Sequence, residues 1–276
     1  MLPEEFFELF CSELQENKEM DHYYKFGRQD ASFGFRKNYF LERLKYIYRH
    51  IVTHSQVSAS KIYDCGCGYG TTCLFLAMNG IPTYGETLEF YFEVIRKRLA
   101  YWKQFGNTDL FSFSYENLFD KQIIPEQYDT IIVQDTLHHL EPINEALQRL
   151  HTLLRPEGKL LIIEENGNNL IQSLKLFKQR GNKRIINFYD EKLGKHITMG
   201  NENIRPLRKW KDLLQKNGLK VEDASVQYIR YFLPFAYKNQ TAEKLLNKER
   251  EWAQKDNLRR EYFFFGINFI AQKSNS

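Results

Sequence analysis

The sequence lacks the features that would place it in a membrane or an oxidising compartment. No apolar run approaches the ~18 residues that a spanning helix needs. The opening Met1-Leu2-Pro3-Glu4-Glu5 lacks the positive start of a secretory signal. Both absences predict a cytoplasmic protein with no transmembrane segment. Cysteine is scarce, with only Cys11, Cys65, Cys67 and Cys73. A cysteine metal site wants C-x₂-C pairs and further ligands. Cys65-x-Cys67 offers neither, so no metal is expected, and free thiols suit a reducing compartment. There are no internal repeats and no low-complexity tracts. Acidic residues are missing altogether between 171 and 189, where Lys175, Lys178, Arg180, Lys183 and Arg184 cluster. The imbalance extends further: residues 1–170 hold 17 Lys and Arg against 24 Asp and Glu, and residues 171–276 hold 22 against 11. A basic half of this kind suits a solvated face, an anionic substrate, a membrane surface or nucleic acid. Charge alone does not choose among them.

What is present is enough for a large core. The chain has 276 residues, 42% of them hydrophobic, sufficient for one large domain with appendages. Its 22 Phe and 17 Tyr suggest aromatic-lined surfaces as well as a core. The organising stretch runs from Lys61 to Thr72. A short β-rich segment ends at Asp64-Cys65, followed by Gly66, Gly68 and Gly70 at alternate positions and then a helix from Thr71 to Met78. A glycine-rich turn between strand and helix lets backbone approach a ligand closely and aims free N–H groups at it. The spacing is D-x-G-x-G-x-G rather than the G-x-G-x-x-G of dinucleotide sites, which disfavours a nicotinamide oxidoreductase. Glu86 follows Asp64 by 22 positions at the end of a second strand, placed to accept hydrogen bonds from a ribose diol. Thr87 is a candidate cap for a helix from Glu89 to Tyr101.

Further β–α units follow. Leu110–Tyr115 alternates like a strand and leads to Glu116-Asn117. Tyr128–Val133 reads as a buried parallel strand, ending in Gln134-Asp135-Thr136-Leu137-His138-His139. Glu141-Pro142 opens a helix with proline in its first turn, Arg155-Pro156-Glu157-Gly158 is a turn, and Lys159–Ile163 is a fifth strand ending at Glu164-Glu165. Asp64, Glu86, Glu116, Asp135 and Glu164 thus all fall at carboxyl ends of strands, where such sheets bind ligands. Residues 190–203 read as irregular with a short hairpin, Val221–Tyr231 as a sixth strand, Thr241–Arg259 as a charged helix and Tyr262–Ala271 as the last strand. At the amino end, 3–16 and 38–50 show helical periodicity, and the aromatic segment between them has no regular pattern.

From Asp64 onward the motifs resemble the class I S-adenosylmethionine-dependent methyltransferases of the small-molecule type, broadly those of quinone biosynthesis. The resemblance covers Lys61 to Lys273. It implies an α/β, Rossmann-like, doubly wound seven-stranded sheet, mostly parallel with an antiparallel last strand, and an N-terminal helical lid (1–55) before the methyltransferase domain (56–276). Insertions are expected at 166–204 and 232–260. It implies S-adenosylmethionine as cofactor, held by Asp64, Cys65, Gly66, Gly68, Gly70, Glu86, Thr87, Gln134, Asp135 and His138, with Glu116 or Asn117 on the adenine amino group. The family usually has glycine two positions before the ribose acid, where this chain has Tyr84. His139 is the candidate base or acceptor orienter. Tyr23, Tyr24, Phe26, Arg28 and Phe33 are expected to close the site, in a segment whose removal (1–36) would spare the fold. No Asp-Pro-Pro-Tyr-like motif follows the fourth strand, which disfavours a nucleic-acid base as acceptor. A small, phenolic or lipid-linked, anionic acceptor is expected, methylated on oxygen or carbon, with peripheral membrane contact left open. Two alternatives stand beside this: a non-catalytic cofactor-binding protein, and an RNA- or membrane-surface protein using the basic half.

Overall fold

In a computed structural model, described for all residues except 29, 31, 55–59, 89, 239 and 275–276, the chain folds around one twisted, mostly parallel sheet. The expected boundary at 55/56 and the helix start at Glu89 lie outside the described residues. Three helices come first: α1 (Pro3–Glu16), α2 (Lys18–Tyr24) and α3 (Phe33–Ile47), the last continuing as a π-turn over Tyr48–Val52. Then β1 (Ile62–Cys65), α4 (Thr71–Ala77), β2 (Thr83–Glu86), α5 (Val94–Trp102), β3 (Phe111–Ser114), β4 (Tyr128–Gln134), α6 (Ile143–Leu153) and β5 (Leu154–Glu165) form the alternating part. The remainder is α7 (Leu170–Arg180), β6 (Ile185–Asp190), β7 (Lys195–Gly200), α8 (Leu207–Lys216), β8 (Leu219–Val221), β9 (Gln227–Ile229), α9 (Ala242–Gln254), α10 (Leu258–Phe263) and β10 (Gly266–Lys273).

The main sheet has the order β3-β2-β1-β4-β5-β10-β8, with β9 also on β10. β1 to β5 pair in parallel, and β10 is antiparallel to each of its partners. The direction of winding reverses between β1 and β4, which opens a crevice at their carboxyl ends. Helices cover both faces. Successive residues of one strand therefore enter opposite cores: Ile132, Leu161 and Ile163 pack with α1, α3, α4 and α5, and Ile131, Val133, Leu160 and Ile162 pack with α6 and α8. Period-two alternation is hidden in the sequence because both faces are apolar.

Several elements differ from their sequence reading. The seventh sheet position is two short strands, because Asp223–Ser225 forms a 3₁₀ turn. Ser225 Oγ accepts from the Ile270 N–H at 2.8 Å, so the broken strand still satisfies β10. The aromatic run Tyr262–Phe265 precedes the last strand instead of starting it. Asn166 Nδ2 donates to the Glu261 and Phe264 carbonyls at 2.8 and 2.9 Å, satisfying α10 carbonyls there. Residues 185–200 are a regular hairpin, with Ile185 opposite Gly200 and Asp190 opposite Lys195.

The largest correction concerns the amino end. The segment read as irregular contains α2 and the start of α3, and these helices pack into the core. Phe6 and Phe10 on α1 and Met20 on α2 are fully buried. Glu13 of α1 sits in the core, accepting from Arg98 Nε and Nη2 and from Trp102 Nε1, each at 2.8 Å. The same guanidinium donates to the Tyr69 carbonyl and to Thr71 Oγ1 at 2.7 Å. One buried ion pair thus ties α1 to α5 and to the glycine loop.

Candidate active site

A cleft of ≈ 1150 Å³ opens over the carboxyl ends of β1, β2 and β4. Its floor is the glycine loop. Gly66 has φ +82°, and a Cβ there would collide with the Thr136 side chain, so glycine is required for the loop to pass the strand-four turn. Cys65, Gly66, Gly68, Glu86, Thr87, Glu116, Asn117, Gln134, Asp135, His138 and His139 all line the cleft, as do Tyr23, Tyr24 and Phe26. The structure thus brings together residues spread over 117 positions of sequence, from Tyr23 to His139.

Four expected residues are not in the lining. Asp64 points into the protein: it is 2% exposed, and its Oδ2 accepts from Cys73 Sγ at 3.3 Å. Burial pushes its pKa up to about 7. Gly70 caps α4 behind the loop, against the Phe111 ring. Arg28 is exposed, and its carbonyl accepts from Arg36. Phe33 packs edge-on against Phe26, one layer behind the cleft. Tyr24, by contrast, reaches the glycine-loop helix, with its OH 2.9 Å from Thr71 Oγ1.

Glu86 is 2% exposed, and a residue the sequence did not flag holds it in place. Lys121 Nζ donates to Glu86 Oε2 at 2.9 Å and to the Tyr84 hydroxyl at 3.0 Å. Tyr84 in turn donates to Glu116 at 2.8 Å. Burial raises the Glu86 pKa against the opposing attraction of Lys121. Tyr84, which departs from the family's glycine, is therefore a member of the network that places the acid. Of the adenine candidates, Asn117 Oδ1 accepts from the Phe119 N–H at 3.1 Å, and Glu116 lines the cleft and stays half exposed.

On the far side, Asp135 has φ +49° and an ion pair with Arg43 of α3. Its Oδ1 is buried with no partner among the described residues. Tyr39 lies between Arg43 and Arg230, whose guanidinium carbons are 4.1 and 4.8 Å from its ring centre, and Glu165 is 3.6 Å from Arg230. Neither Tyr39 nor Arg43 carries a signal in the sequence, since a polar residue on an amphipathic helix reads as solvent-facing.

The two histidines differ. His138 is 3% exposed; its Nδ1 donates to Glu164 Oε2 at 2.6 Å and its backbone N–H donates to Oε1 at 3.2 Å. Burial opposes the charged ring, but the Glu164 carboxylate, helped by Glu202 and Asp135, outweighs it and carries the His138 pKa to about 9. His139 Nδ1 donates to the Gly200 carbonyl at 2.9 Å. Both Nε2 atoms face Glu202, at 3.7 and 3.8 Å. His138, His139 and Glu202 form a set able to ligate a cation, one that cysteine spacing cannot reveal. The β6–β7 hairpin closes this side: Asp190 Oδ2 accepts from the Tyr115 hydroxyl at 2.7 Å, and Asn203 N donates to the His138 carbonyl at 3.2 Å.

The residues fit S-adenosylmethionine. A buried carboxylate faces the cleft where a ribose diol needs acceptors, and the orphan Asp135 oxygen suits an ammonium donor. No helix among the described residues is long and apolar enough to cross a membrane.

Comparison with known proteins agrees with this geometry. A family model described as "Methyltransferase domain" matches residues 39–224. A ubiquinone biosynthesis O-methyltransferase of Rickettsia bellii is 26% identical over 153 residues, 55% of this chain and 60% of that protein. A probable polyketide synthase of Dictyostelium discoideum is 35% identical over 75 residues, which is 27% of this chain and only 3% of the synthase. The chain thus spans a small fraction of one of these relatives and about three-fifths of the other. A solved S-adenosylmethionine-dependent methyltransferase from Methanosarcina mazei aligns with a TM-score of 0.53 at 17% identity, covering 82% of this chain and 97% of that one. The chain belongs to the methyltransferase-domain family.

Proposed function

We propose that this enzyme methylates an ionisable oxygen or an acidic carbon of a small, phenolic, enolic or lipid-linked acceptor, with His138 as general base. The observation that carries this is the buried Glu164–His138 pair at the cleft wall. A base whose far nitrogen is locked by a carboxylate is a recurring proton-transfer device. It fixes the tautomer so that Nε2 takes the acceptor's proton while the acceptor's O or C attacks. This moves the base role from His139 to His138, because the His139 Nδ1 is held by a backbone carbonyl and not by a carboxylate. When bound, S-adenosylmethionine would supply an electrophilic methyl group, its S–CH3 bond breaking to leave S-adenosylhomocysteine. Glu86, held by Lys121, orients the ribose. Asp135 Oδ1 takes the ammonium, and Glu116 takes the adenine amino group because the Asn117 oxygen is occupied. Tyr23, Tyr24, Phe26 and the β6–β7 hairpin exclude water. Orientation of this kind can contribute ~7–11 kcal/mol, and the base adds about 10²–10⁴-fold. One relative named for O-methylation and another named as a polyketide synthase support an acceptor with an acidic oxygen or carbon.

The test is methyl transfer from labelled S-adenosylmethionine to a panel of catechols and β-keto thioesters. His138→Gln and Glu164→Gln are run beside the wild type, and cofactor binding is followed by calorimetry. The wild type should label at least one acidic acceptor, and His138→Gln should lose about 10²–10⁴-fold in kcat with cofactor affinity retained. An unchanged rate in His138→Gln would remove the base role.

A further inference from the structure

The helix α7, which follows the site strand β5, carries an apolar stripe with nothing over it. Leu170, Ile171, Leu174 and Phe177 are each 50–58% exposed. At 100° per residue, Leu170, Leu174 and Phe177 fall within one narrow sector, and Ile171 falls at its edge. The buried residues Gln172 and Leu176 lie on the opposite side, against the body of the protein. Lys175 projects along one margin of the stripe and Lys178 within it, while Arg180, half-buried, donates to the Glu202 carbonyl. Lys183 and Arg184 follow in the link to β6, where Ile185, Phe188 and Tyr189 are exposed in turn. No acidic residue occurs from 171 to 189 to offset these cations.

We infer that α7 and the start of β6 dock this enzyme on an anionic phospholipid bilayer. Three observations favour a bilayer over a protein partner. The stripe is convex, on a helix about 16 Å long, and presents no groove. Every charged residue on α7 is a cation, complementary to a surface of uniform negative charge. An apolar sector flanked by lysine and arginine is the arrangement that settles into the headgroup boundary, with leucine and phenylalanine below and the long basic side chains reaching up to phosphates. The inference does not depend on which acceptor is methylated.

The experiment is sedimentation of the full chain with vesicles of phosphatidylcholine alone and of phosphatidylcholine with one-quarter phosphatidylglycerol. Binding should appear only on the anionic vesicles and fall steeply with added salt. Lys175→Glu and Lys178→Glu should each weaken it about fivefold or more. The double change Leu174→Ser with Phe177→Ser should reduce it at least about tenfold. All variants should keep wild-type melting temperatures and cofactor affinity. Equal binding to neutral vesicles, no binding, or variants that bind like wild type would each overturn the inference. Self-association abolished by Leu174→Ser/Phe177→Ser, without vesicle binding, would overturn it in favour of a second copy of the chain.

Discussion

The first 36 residues and residues 166–204 both contribute walls to the cleft, yet they are attached in opposite ways. The amino-terminal helices are held by burial: Phe6 and Phe10 lie in the core, and Glu13 is fixed by three charge-assisted or indole hydrogen bonds. The insertion is held by its edges. Backbone bonds join Gly200 and Asn203 to the histidine pair, and exposed ion pairs such as Lys192–Glu93 tie down the tip, while much of its apolar surface stays outside. Burial of this extent predicts that folding depends on the first segment. Edge attachment lets the second bear on the reaction with little effect on stability, since exposed ion pairs contribute at most ~1 kcal/mol.

This contrast can be broken by experiment, beginning with the greatest loss. Removing residues 1–36 should abolish cooperative thermal unfolding, because it strips the partners of Trp102, Arg98 and Phe75; a shortened chain that still melts near the wild-type temperature would refute the contrast. Glu13→Ala leaves Arg98 buried and unpaired and should cost about 3–5 kcal/mol in denaturant unfolding. At the site, kcat/KM should rise with pH toward about 9, because base action needs the neutral His138 ring and the folded protein holds its proton up to that value. The sign for stability is the reverse: the Glu164–His138 contribution is complete below the ring's ordinary pKa near 6.5 and is lost as pH rises through about 9. Lys121→Met should weaken cofactor binding about tenfold by calorimetry, as Glu86 loses its counter-charge and drifts toward its protonated form; unaltered affinity would detach Lys121 from the site. Smallest of all, Leu174→Ser should shift unfolding by less than about 0.5 kcal/mol, where a comparable change at Phe10 to Ala should cost about 3–5.

Much of the sheet was legible in the sequence because strand, turn and helix signals repeat locally: Gly66, Gly68 and Gly70 after Asp64, Glu86 at a strand end, and Asp135 with His138 after an apolar run. What was not legible depends on long-range pairing. Nothing near Glu13 announces that it meets Arg98, so 3–16 showed helical periodicity and no more. Lys121, Arg43 and Arg230 look like solvated cations until the fold brings carboxylates to them. Asp64 shows the converse: the motif gives its place in the chain, but its side chain turns to Cys73 and away from the cleft. The break at Asp223–Ser225 was hidden because Ser225 mimics a strand partner through its side chain.

Gly200 ends the hairpin against the His138 carbonyl, where any Cβ would collide, and its own carbonyl anchors the His139 ring. The hairpin that walls one side of the cleft and the histidine pair beside it are therefore inherited as one unit. Substitutions between 181 and 199 can reshape that wall only while position 200 stays without a side chain. A hairpin transplanted into another framework would bring its histidine contacts with it or displace the pair.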